Sequence, residues 1–96
     1  MKVSEIKESD LINYCRVEDA DEADKSLFNN YYKVACKFIE SYTGLSSIEI
    51  DKHDDFVIVV FILVEDMYDN RRLYVDKNNL NKIVENVLGM HSNNLL

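Results

Sequence analysis

The sequence predicts an all-α fold: a small bundle of about four helices, with a long second helix and a largely buried third. Three observations predict it. The 96 residues include no proline and only two glycines, Gly44 and Gly89, whereas all-β chains need many Gly- and Pro-rich turns. Between residues 25 and 43, Leu27, Phe28, Tyr31, Ala35, Phe38, Ile39 and Tyr42 fall on one stripe at 3.6 residues per turn. The apolar run FVIVVFILV at 56–64 continues as a helical stripe into the polar residues that follow.

The elements follow in order. Residues 10–17 read as a short helix capped by Ser4 or Ser9, with Leu11, Tyr14 and Cys15 facing inward. An acidic connector spans 18–24. Asp21 or Asp24 caps the long second helix, whose acidic start suits the positive end of its dipole. Gly44 stands where a left-handed cap closes it after roughly 30 Å. Residues 45–51 read as a loop.

Six of the nine residues at 56–64 are β-branched, which alone favours a strand. The stripe Phe56, Val57, Val60, Phe61, Val64, Met67 and Tyr68 favours a helix, and the only strand partner in sight is 47–50. We therefore read a helix over 52–70. Its first half is apolar all round, so it calls for cover on more than one side, in part from a neighbouring subunit. A fourth helix spans 77–88, capped by Asp76 and closed by Gly89, with Leu80, Ile83, Val84, Val87 and Leu88 inward. Residues 90–96 form a tail. The chain is one domain, 1–96, without internal repeats. Its expected core is Phe28, Tyr31, Ala35, Phe38, Ile39, Val60, Phe61 and Val64.

Composition narrows the function classes. The net charge of -7 opposes adhesion to nucleic acid or anionic lipid. A nine-residue apolar run is short of the ~20 residues a membrane helix takes, and the first ten residues lack the apolar segment of a signal peptide. A soluble, cytoplasmic chain is expected, with Cys15 and Cys36 reduced and packed as small apolar groups.

No catalytic, cofactor or metal site emerges from the residues. A calcium loop starting at Asp19 would have Ala23, Asp24 and Asn30 where Asp, Gly and Glu are required. The string His53-Asp54-Asp55 lacks a third ligand, His91 being distant in sequence, and reads as a helix start. Tyr31-Tyr32 has no basic surface for stacking on bases. Arg71 and Arg72 sit at a helix C-terminus, where cations offset the dipole.

Several strings, in order, resemble the head–tail connector (adaptor) family of tailed bacteriophages and prophages. LINYCRV at 11–17 resembles the family's first helix, with Cys15 where Leu is usual. ACKFIESYTG at 35–44 resembles the end of its second, and VEDMYDNR at 64–71 the aromatic-acidic-Asn-Arg close of its third. LGMHS at 88–92, with Leu95-Leu96 at the end, is similar to a short subgroup from prophages of Gram-positive bacteria. The loop after Gly44 is shorter than in many members, which removes any role of the insertion they carry there.

The resemblance implies a structural virion protein without an active site or cofactor. It would form a ring below the portal at the head–tail interface, extend the DNA channel, and assemble in the host cytoplasm. The implied partners are the portal protein, a stopper or tail-completion protein and copies of itself; DNA is passing cargo and no membrane is involved. Expected contact residues are Tyr68, Asn70, Arg71, Arg72, Met90, His91, Leu95 and Leu96, with 90–96 docking on the portal. The rival reading is a small acidic regulatory module that binds another protein.

Overall fold

A computed structural model of the chain describes residues 1–92. It is all-helical, with no strand among the described residues. A 3-10 turn at Val3–Glu5 precedes α1 (Glu8–Tyr14), α2 (Glu22–Thr43), α3 (Ser47–Ile50), α4 (Phe56–Asp69) and α5 (Lys82–His91). The run 56–64 is thus helical, as its continuing stripe requires.

Local chemistry sets the ends of α2. The Asp21 carboxylate accepts from the Asp24 N–H at 2.9 Å, and Asp24 accepts from the Asp21 N–H at 3.1 Å. This reciprocal pair starts the helix three residues earlier than the apolar stripe indicated. Gly44 adopts φ 76° and its N–H donates to the Glu40 carbonyl, closing the last turn. α1 is not capped by Ser4 or Ser9. Its N-cap is Lys7, whose N–H donates to the Asp10 carboxylate at 2.9 Å. The Ser4 N–H instead donates to Asp51 Oδ1 at 3.0 Å and fastens the N-terminal turn to the end of α3.

Two helices close on an arginine where glycine is usual. Arg16 (φ 59°) and Arg71 (φ 54°) take the left-handed position after α1 and α4. The next N–H in each case returns to a carbonyl five residues back: Val17 to Ile12 at 3.1 Å and Arg72 to Met67 at 2.9 Å. This is the Schellman closure with arginine in the glycine position. The early turn after Tyr14 also corrects the inward face of α1. Leu11 and Ile12 are buried, Cys15 is half-buried, and Tyr14 is 38% exposed with its ring 5.0 Å from that of Phe61.

The sequence boundaries fail where side chains compete with the backbone. The expected loop at 45–51 contains α3, capped by Ser46 Oγ accepting from the Glu49 N–H at 3.2 Å. α4 begins at Phe56 rather than 52, behind two tight turns in which the N–H groups of Phe56 and Val57 donate to His53 and Asp54. The last helix begins at Lys82, not 77. Asp76 accepts from the Asn78 N–H and from Asn79 Nδ2, forming a turn of its own, and Asn81 caps α5 by accepting from the Ile83 N–H at 2.8 Å. Gly89 is not a cap: it lies inside α5, which continues to His91.

α2 and α4 form the centre of the fold, with α1 and α5 packed against both. Phe28, Tyr31, Ala35, Ile39, Val60 and Val64 are buried, as expected; Phe38 and Phe61 are only half-buried. The true core face of α4 is Phe56, Val59, Val60, Leu63, Val64 and Met67, rotated from the expected stripe so that Val57 and Tyr68 lie at its margin. With a smallest extent of 17 Å, the molecule is two helix layers thick, given helix spacings of about 8–10 Å. The described residues therefore leave α4 uncovered on one side, where Ile58 is 40% exposed.

Candidate functional site

The expected contact residues fall at opposite ends of α4, which at 14 residues is about 21 Å long. Tyr68, Asn70, Arg71 and Arg72 occupy its C-terminal end. Met90 and His91 lie in the last turn of α5, beside its N-terminal end; Leu95 and Leu96 lie outside the described residues.

At the C-terminal end the side chains secure the closure. Tyr68 is half-buried against Phe28, ring centroids 5.2 Å apart. Asn70 Nδ2 donates to the backbone carbonyl of Asp66 at 2.9 Å and to its Oδ1 at 3.0 Å. Arg72 donates to Asp66 Oδ2 at 2.7 Å and lies 3.8 Å from Asp76. Within the chain, the acidic partners of Arg72 are thus Asp66 and Asp76. Arg71 lies over the Tyr68 ring at 5.1 Å, so the ion pair belongs to Arg72 while Arg71 supplies the left-handed turn.

At the other end, both histidines of the chain converge. Asp55 is the N-cap of α4, yet its carboxylate makes no capping bond. It faces α5 instead, where Oδ2 lies 2.8 Å from His91 Nε2. The His91 ring lies 4.8 Å from that of Phe56 and 4.3 Å from that of His53. One ligand atom each from His53, Asp55 and His91 gather within 4.8 Å of one another. This cluster is absent from the sequence reading, which left His53 and Asp55 without a third partner. The signal was present: Val84, Leu88 and His91 follow helical spacing, which puts His91 on the buried face of α5.

Burial holds both cysteines in the thiol form. Burial first, then Glu65 and Asp69, push the Cys15 thiol up to about 12. Burial pushes Cys36 up to about 11. Both therefore stay protonated at neutral pH. Tyr32, whose hydroxyl donates to the Val3 carbonyl at 2.8 Å, is likewise pushed up to about 12 by burial and then by Cys36.

Ile48 of α3 is the most exposed large apolar side chain among the described residues, at 74%, and two further pairs stand out. Ile83 (52% exposed) and Met90 (70%) stand two turns apart on one flank of α5. Leu73 and Tyr74, about 60% exposed, border a groove of about 420 Å³ against Val34, Phe38 and Ser41 of α2. No described helix is long and apolar enough to cross a membrane. No protein-family model, curated protein or solved structure matches the chain.

Proposed function

We propose that this chain is the subunit of a ring that joins a phage head to its tail, sitting below the portal and extending the channel through which DNA passes. One observation carries the reading: strings resembling the connector family occur in order along nearly the whole chain, on a chain that folds as an all-helical bundle.

Two surface features support it. A ring with head-to-tail contacts needs two different surfaces on each subunit. The chain exposes apolar side chains on the α5 flank and, separately in sequence, at Leu73 and Tyr74. The net charge of -7 suits a channel wall that DNA passes without adhering.

The test is co-expression with the portal protein encoded nearest to it. The reading expects a stable complex that survives gel filtration, and Ile83→Asp or Met90→Asp should weaken assembly without unfolding the chain. A monomer that leaves the portal unbound, in a gene neighbourhood without capsid or tail genes, would overturn it in favour of the regulatory module.

A further inference from the structure

The geometry points to a three-ligand site for a divalent first-row transition metal, with Zn²⁺ its natural occupant, built from His53, Asp55 and His91. Two imidazoles and one carboxylate are a donor set that such metals take, leaving a further position for water or a fourth ligand. The three come from two distant parts of the chain, and they include every histidine it has.

The distances allow ligation after small side-chain movements. In a tetrahedral site with bonds of about 2.0–2.1 Å, neighbouring ligand atoms lie about 3.3 Å apart. The 2.8 Å contact between His91 and Asp55 must open by about half an ångström, and the widest pair in the cluster, at most 4.8 Å, must close by up to about 1.5 Å. His53 lies in the tight turn before α4, so its side chain adjusts without disturbing a helix.

The bland alternative is a histidine–aspartate hydrogen bond beside a stacked ring. It accounts for Asp55 and His91 but gives no role to the His53 ring nitrogens. A bound metal would use all three groups and clamp the last turn of α5 onto the start of α4.

The experiment uses the full chain without a histidine tag, freed of metal by chelation. Zn²⁺ at about 100 times its Kd should raise Tm by roughly 10–20 °C, with one ion per chain by calorimetry. His53→Gln should keep the metal-free Tm and lose the shift. Asp55→Asn should weaken binding by more than the roughly 10–100-fold that loss of an outer-shell partner costs. Co²⁺ should give a visible spectrum without a thiolate charge-transfer band. An absent shift in the wild type, a shift that persists in His53→Gln, or a thiolate band implicating Cys15 or Cys36 would each overturn the assignment.

Discussion

Phe28 and Phe38 occupy the same stripe of α2 but should respond very differently to truncation. Phe28 has no exposed surface; it packs edge-on against Tyr31 at 5.4 Å and against the tilted Tyr68 ring at 5.2 Å. Phe28→Ala leaves a closed cavity between α2 and α4, which costs about 3–5 kcal/mol. Chains of this size hold roughly 5–14 kcal/mol in total, so a large share of the stability would go. The fall in Tm should be roughly 12–40 °C. Phe38 is half-buried and meets Tyr42 at 5.7 Å beside an open groove. Its loss removes about half the burial of a full phenylalanine, about 1–1.5 kcal/mol, and leaves no closed cavity. Urea melts of the isolated chain, followed by circular dichroism, separate the two. Equal losses, or a larger loss at Phe38, would refute the placement of the core between α2 and α4.

The two glycines should respond with opposite signs in the same melts. Gly44→Ala forces a side chain into a left-handed cap and should cost about 1 kcal/mol, whereas Gly89→Ala, with nothing within 4 Å of the added carbon, should gain up to about 1 kcal/mol inside α5. Arg71→Gly should stabilise α4 slightly by relieving its left-handed backbone, while Arg72→Ala should lower Tm by breaking the contact to Asp66; equal effects of the two would contradict the Schellman closure. Stability should fall in alkali. Cys15, Cys36 and Tyr32 have pKa values raised in the fold, so between about pH 9 and 12 the unfolded chain binds fewer protons than the native one, and Tm should drop with rising pH there but not below it. A flat alkaline profile would show that these groups are solvated.

The helical class was legible because two signals agreed: the scarcity of turn residues and the unbroken 3.6-residue period through 56–68. Gly44 marks the C-terminal end of α2 in the sequence, whereas both Asp21 and Asp24 suit a cap at its start and only their reciprocal bonds decide for Asp21. What failed was competition among short polar side chains. Ser46-Ser47-Ile48-Glu49 contains a capping box that marks α3, yet it reads as loop to a search for long stripes. Asp76 and Asn81 both suit an N-cap, and local bonds to Asn78 and Asn79 decide between them. The rotation of α4 was hidden because every face of its first half is apolar, so periodicity carries little directional information there. The histidine cluster depended on that same packing: it exists only because α5 runs two residues past Gly89 and returns His91 to the start of α4.

The central claim is the ring. Electron microscopy of the chain co-expressed with a candidate portal protein tests this proposal most directly. The account predicts end-on views in which this chain forms a closed ring coaxial with the portal, its subunits joined through the α5 flank and the Leu73–Tyr74 groove. Bare portal rings beside a monomeric helical protein would contradict it.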